Sequence, residues 1–197
     1  MNGFSIAFIL FLIMDPLGNI SAYLNLVKGL PRERKRWVLF REMGIALLAM
    51  LLFSFLGEYL FAALEISEKT VRSGSGVILF LVGIKILFPS DEGREPPLPE
   101  GEPFIVPLAI PWIAGPSLLA TIMLFSHIEP SVPLMLSAMG AAWLASTLIL
   151  LFAPQIQKIF KDAGLIATER LIGMVLVLIA IQRFLEGIQQ FVKSCQL

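Results

Sequence analysis

Charged side chains are scarce in this chain. Of its 197 residues, 15% are Asp, Glu, Lys or Arg and 57% are hydrophobic, whereas soluble domains carry about 25% charged residues. No charged residue occurs from Pro103 to His127, and none occurs from Pro130 to Gln157. Each stretch exceeds the ~20 residues that an α-helix needs to cross the apolar core of a bilayer. The scarcity excludes a soluble globular domain and predicts an integral membrane protein.

Cysteine and histidine are nearly absent, since Cys195 and His127 are the single residues of their kinds. One cysteine excludes an intrachain disulfide. The chain also lacks the HExxH and GxSxG patterns of zinc and serine hydrolases. We therefore predict no metal site, no cofactor, no catalytic residue and no enzymatic activity. The formal net charge of zero excludes a general electrostatic attraction to nucleic acid.

What the chain has in abundance is long apolar runs. They predict an all-α membrane protein with six transmembrane helices, at Gly3–Leu30, Met43–Leu64, Gly74–Phe88, Phe104–Phe125, Pro133–Ala153 and Leu171–Phe191. The third run is short and needs its flanks or a tilt to cross. After it, residues 89–103 combine Pro96, Pro97 and Pro99 with acidic side chains, which predicts an exposed linker.

The distribution of Lys and Arg predicts the orientation. Eleven of the fifteen basic residues fall in the first, third and fifth connections and their flanks, including the run from Arg32 to Arg36. Basic connections stay in the cytoplasm, so both termini are expected on the outer face of the membrane. The reverse orientation is the alternative, because the third connection is net acidic.

Two proline-containing dipeptides interrupt the apolar runs. Asp15-Pro16 lies inside the first run and Gly115-Pro116 inside the fourth. Proline removes a backbone donor and clashes with the carbonyl one turn back, so we expect helices 1 and 4 to be broken at these positions. In lipid, the freed backbone groups are tolerated only where protein or a water-filled cavity satisfies them. Paired interruptions of this kind indicate a transporter binding site.

The chain also matches itself at an offset of one hundred residues. DPLGNISAYL in the first run aligns with GPSLLATIML in the fourth, so that Pro16 meets Pro116. A slightly smaller offset aligns the third run with the sixth. We therefore predict two three-helix repeats, residues 1–88 and 104–197, on either side of the linker. Because three spans is an odd number, the second repeat enters the membrane inverted.

Three stretches of the sequence carry a family resemblance. DPLGNISAYLNLVKGL with the basic run after it resembles the NPIGN-type opening of the MarC family of bacterial multi-pass inner-membrane proteins. PLAIPWIAGPSLLATIMLF is similar to the second-half signature of that family, and RLIGMVLVLIAIQRFLEGI to its last span. The resemblance implies the architecture of LysE-type exporters, small-solute transport and an inner-membrane location, so that the outer face predicted above for both termini is the periplasmic one. Asp15 stands where the family pattern more often has asparagine.

Two interpretations of the first break stay open. Asp15 in the bilayer interior is costly, and one interpretation makes it a cation or proton site together with Pro16, Gly18, Asn19 and Ser21. The other makes it a helix cap that accepts from the amides of Gly18 or Asn19. The two interpretations are compatible with each other.

The second break has no charge. Gly115, Pro116 and Ser117 form the start of a half-helix whose free amides and dipole favour an anionic group. The alternative is a structural kink in which Ser117 and Thr121 bond back to helix carbonyls. Pro111, five residues before Pro116, adds to the irregular backbone.

Lys85 and Gln182 lie at related positions near the ends of the third and sixth runs. They are secondary candidates for contact with a substrate carboxylate. We favour an interfacial position for Lys85, because a lysine near a helix end extends its ammonium group to the membrane surface.

The fifth run is marked by small residues spaced four apart. They form two rows, Ser137, Ala141 and Ala145, and Ala138, Ala142 and Ser146. Small residues let a neighbouring backbone approach closely, which predicts helix packing within the subunit or in a homo-oligomer.

These features favour a transporter or exporter of an unknown small solute, which alternates access around the two broken helices and is coupled to protons or sodium. The expected partners are membrane lipid and the solute. The alternatives are a membrane-embedded enzyme and a non-transporting membrane scaffold.

Overall fold

A computed structural model describes residues 2–63, 68–88, 113–129 and 131–195. Within these ranges the chain is all-helical, as predicted, and has no strand. The helices are α1 (Gly3–Met14), α2 (Asn19–Leu26), α3 (Arg32–Ala63), α4 (Glu68–Leu87), α5 (Pro116–Ile128), α6 (Val132–Leu151) and α7 (Ala153–Cys195). The predicted linker at 89–103 and the candidate residue Pro111 lie outside the described residues.

Three helical segments are long and apolar enough to cross a membrane: Glu33–Gly57, Val132–Leu151 and Ala153–Gln189. The pair α1 and α2, bent by 52° at a short break, becomes a fourth if it is counted as one span. The apolar helices Gly74–Leu87 and Pro116–Ile128 are shorter. The described residues therefore contain three or four candidate spans by length and composition, and the six-span repeat stays a prediction.

α3 and α7 extend well beyond the apolar runs that predicted them. α3 begins at Arg32 rather than near Met43, because the residues before the run are mostly good helix formers and include Val38 and Leu39, both fully buried. α7 starts at Ala153 and contains a non-helical joint at Lys161 (φ 53°, ψ 176°). The joint divides α7 into a short segment, 153–160, and a long one, 162–195.

α4 and α7 pack together along most of the length of α4. They run antiparallel, since Gly76 lies against Phe184 and Gly83 against Val177. A Cβ atom placed on Gly76 would lie 2.6 Å from the Phe184 backbone nitrogen. The two backbones thus approach as closely as glycine allows, and this close contact was not predicted from the sequence.

The other contacts join the remaining helices into one core. α1 packs against α6, and α3 packs against α5. The Ser54 and Ser126 hydroxyls form a 2.7 Å hydrogen bond between α3 and α5. On α6 the small residues Ala138, Ala142 and Ser146 are buried, whereas Ser137 and Ala141 are exposed and Ala145 is partly so. One of the two predicted rows therefore packs inside the subunit.

Candidate functional site

The site is built around the end of α1. That helix ends at Met14, because Pro16 has no N–H to continue the ladder. Asp15 takes a left-handed conformation (φ 40°, ψ 59°), and its backbone N–H donates to the Leu12 carbonyl at 3.2 Å. Among non-glycine residues, Asp and Asn adopt this conformation most readily. The dipeptide Asp15-Pro16 therefore both stops the helix and turns the chain.

Side chains within the break satisfy the backbone groups that it frees. Asp15 Oδ1 accepts from the Gly18 amide at 3.2 Å, which is the bond that the capping interpretation requires. The Asn19 side-chain amide donates to the Met14 carbonyl at 3.0 Å. The Asn19 backbone N–H donates to the Asp15 carbonyl at 3.1 Å. Asn19 thus links the start of α2 to Met14 and Asp15 and stabilises the bend between α1 and α2.

A second carboxylate, Glu169 of α7, lies beside the break. A Cβ atom on Gly18 would lie 3.1 Å from the Glu169 carboxyl carbon and would collide with the carboxylate of Asp15. The absence of a side chain at Gly18 therefore allows the two acidic side chains to come together. Asp15 is half-buried and Pro16 is buried. The break is a place where acids from two distant parts of the chain converge.

Glu169 was missed in the sequence analysis. The sixth span is predicted to begin at Leu171, which places Glu169 in a connection, where acidic residues are common. The available signal was an acidic residue directly before an apolar run, yet many such residues merely end a loop. Only the packing of α7 against α1 and α2 brings it to Asp15.

The second predicted break is described from Ile113 onward. Gly115 is the extended N-cap of α5 (φ −71°, ψ 161°) and Pro116 is its first residue. Thr121 is fully buried and donates from Oγ1 to the Ser117 carbonyl at 2.8 Å, as expected for a structural role. Ser117 itself is half-buried. α5 packs against α1, while the expected meeting of the two breaks stays a prediction.

The remaining candidates differ in their surroundings. Ser21 is half-buried on α2. Lys85 is exposed near the end of α4, in keeping with an interfacial ammonium group. Gln182 is exposed, and its side-chain amide donates to Glu186 of the same helix at 2.9 Å. The described residues contain no group of three or more His, Cys, Asp or Glu that could hold a metal ion.

Comparison with known proteins decides the family. The model of the MarC family of integral membrane proteins matches residues 2–192. The chain belongs to the MarC family. An inner membrane protein, YhgN of Escherichia coli, is 45% identical over 192 residues, which cover 96% of this chain and 98% of YhgN. No solved structure matches the chain.

Two further MarC relatives are also similar over almost their full length. A UPF0056 membrane protein of Buchnera aphidicola is 46% identical, covering 96% of this chain and 97% of the relative. One from Chlamydia pneumoniae is 30% identical, covering 93% and 92%. The family resemblance seen in the sequence is therefore confirmed, and with it the nature of the chain as an integral membrane protein.

Proposed function

We propose that this MarC protein transports a small solute across the bacterial inner membrane by alternating access around interrupted helices. The observation that carries the proposal is the break between α1 and α2, where Asp15 and Glu169 converge. Within the turn, Asp15 accepts a hydrogen bond from the Gly18 amide. Glu169 places a second acidic side chain beside it, and a concentration of acidic groups inside the membrane suits a site that faces water or binds a cation.

The helix contacts support an inverted repeat of three plus three spans. Such a repeat exchanges the first span with the fourth and the second with the fifth. It therefore exchanges the α1–α6 contact with the α3–α5 contact, and both contacts are present. The Trp143 indole N–H donates to the Met43 carbonyl at 2.8 Å. These two residues are one hundred apart, the offset that aligns Pro16 with Pro116, so their contact fits a position on the symmetry axis.

In this mechanism the two interruptions line one polar cavity in the middle of the membrane. The energetic reason is that lipid satisfies none of the backbone groups that a break exposes, and a shared aqueous site satisfies both sets. Asp15 provides the negative charge and the amide end of α5 provides the opposite polarity. The proposed lining residues are Asp15, Pro16, Gly18, Asn19, Ser21, Pro111, Gly115, Pro116, Ser117 and Thr121.

The apolar side chains exposed on the surface support a position within the membrane. Large apolar side chains such as Phe4, Leu48 and Leu178 are exposed, which fits contact with lipid acyl chains. We propose that both termini lie in the periplasm and that transport is coupled to protons or sodium. We also propose that the protein is a transporter rather than an enzyme or a scaffold.

The exposed row of Ser137 and Ala141 on α6 is the proposed contact between subunits of a homo-oligomer.

Flux into proteoliposomes tests the proposal. Purified protein is reconstituted into vesicles, and the uptake of radiolabelled amino acids, amines, sugars and organic acids is measured separately, with and without proton or sodium gradients. We expect protein-dependent movement of at least one class, abolished by collapse of one gradient. Equal flux in protein-free vesicles for every class and gradient would contradict a transport function.

A further inference from the structure

Glu42 of α3 is a carboxylate that the protein buries completely. Its Oε1 atom accepts from Arg41 Nε at 2.9 Å and from Arg41 Nη2 at 2.6 Å. Its Oε2 atom is also buried and has no hydrogen-bond partner among the described residues. Buried polar atoms nearly always have a partner, because leaving one unsatisfied forfeits its hydration without compensation. Oε2 therefore needs a donor that the described part of the chain does not supply.

Arg41 holds this carboxylate in a fixed orientation. The guanidinium carbon of Arg41 lies 4.8 Å from the centre of the Trp37 ring, within the range of a cation–π contact. Both Arg41 nitrogens that reach Glu42 bind the same oxygen. The arrangement neutralises the charge of Glu42 while leaving Oε2 as a positioned acceptor.

Two hydrogen bonds from α6 show that Glu42 and the α1–α2 break lie against the same part of that helix. Trp143 donates to the carbonyl of Met43, the residue after Glu42. Ser146 donates to the sulfur of Met14, the residue before Asp15, at 3.5 Å. Trp143 and Ser146 are three residues apart, which is about 4.5 Å along a helix. The two acidic residues thus lie at neighbouring levels along α6.

We propose that Glu42 Oε2 is a binding atom of the same interior site and accepts a hydrogen bond from an ammonium group of the transported solute. An N–H donor satisfies a single acceptor oxygen, whereas a hard metal cation needs several oxygen ligands. The described residues offer no cluster of three or more metal-binding side chains. With Glu42 neutralised by Arg41, Asp15 supplies the charge that favours a cationic solute. The proposal rests on the transport function proposed above.

Thiol accessibility tests this assignment without a known substrate. Cys195→Ser removes the single native cysteine, and Ala46→Cys then places a thiol one turn after Glu42 on the same buried face. The rates of modification are measured with two methanethiosulfonate probes, the cationic 2-aminoethyl and the anionic 2-sulfonatoethyl reagent. We expect the cationic probe to react about tenfold faster or more. Glu42→Gln should reduce this preference several-fold, and Asp15→Asn should reduce it independently.

Two positions on α3 serve as controls. Glu33→Cys is exposed, so both probes should modify it and Glu42→Gln should leave its rates unchanged. Met50→Cys is as buried as Ala46→Cys but lies about two turns from Glu42, outside the proposed site, so it should resist both probes. Resistance of Ala46→Cys to both probes, or a charge preference that Glu42→Gln and Asp15→Asn leave unchanged, overturns the proposal. These rates do not depend on flux, so this assignment and the transport function can fail separately.

Discussion

The α1–α2 break and the α4–α7 contact are both tightly constrained, and they are constrained by opposite means. At the break, polar side chains compensate a backbone that has left the helix. At the α4–α7 contact, the absence of side chains at Gly76 and Gly83 lets two intact helices touch. A helix contact therefore needs only complementary shape, whereas a break carries polar groups that are also able to bind a ligand. Substitutions in the two regions should therefore differ in what they damage.

Gly76→Ala should have the largest effect on stability. Its new Cβ would lie 2.6–2.8 Å from backbone and Cβ atoms of Phe184, which cannot move without separating the helices. We expect a loss of about 3 kcal/mol in the free energy of unfolding. Unfolding by sodium dodecyl sulfate measures it. Gly74→Ala is the matched control on the same helix, since its Cβ would meet nothing within 4 Å. Equal losses for both variants would refute the close contact.

Asn19→Ala should cost about 2 kcal/mol, because it removes the donor to the Met14 carbonyl inside the membrane. The same unfolding experiment applies. Asn25→Ala changes an exposed residue of the same short helix and should cost under about 0.5 kcal/mol. If Asn19→Ala behaves like Asn25→Ala, the break does not depend on this hydrogen bond.

Gly18→Ala should cost only about 1 kcal/mol in stability. Its new methyl group meets the ends of the Asp15 and Glu169 side chains, which are able to rotate away. Flux, however, should fall more than in Gly76→Ala molecules that remain folded, because the acidic pair is forced apart. Gly140→Ala on α6, where a Cβ meets nothing within 4 Å, is the control for both measurements. A Gly18→Ala protein with unchanged flux would show that the pair has no part in transport.

The features that were predicted correctly from the sequence depend on residues close together in the chain. The apolar runs and missing charges identified an all-helical integral membrane protein, and Asp15-Pro16 identified the end of α1 beside Pro16. The bonds of Asp15 to Gly18 and of Thr121 to Ser117 also follow from short-range rules. Each of these features involves residues within one or two turns of each other.

What the sequence did not reveal depends on distant contacts. Nothing near Glu169 in the chain indicates that it lies beside Asp15. Likewise, Gly76 in an apolar run resembles any other small residue until Phe184 is placed against it. The burial of Glu42 was hidden for a related reason. Glu42 follows Arg41 and precedes the predicted second span, where an acidic residue is normally solvated. Its burial depends on α3 extending from Arg32 into the core.

The most direct measurement of the central claim is the flux of the Asp15→Asn protein. Asparagine retains an acceptor for the Gly18 amide and tolerates the left-handed conformation, so the fold and its unfolding midpoint should be preserved. Removal of the charge should reduce flux at least about tenfold, equal to about 1.4 kcal/mol. Asp162→Asn, at an exposed position of α7, should leave flux unchanged. Wild-type flux and wild-type ion dependence in the Asp15→Asn protein would reduce Asp15 to a helix cap and contradict the account.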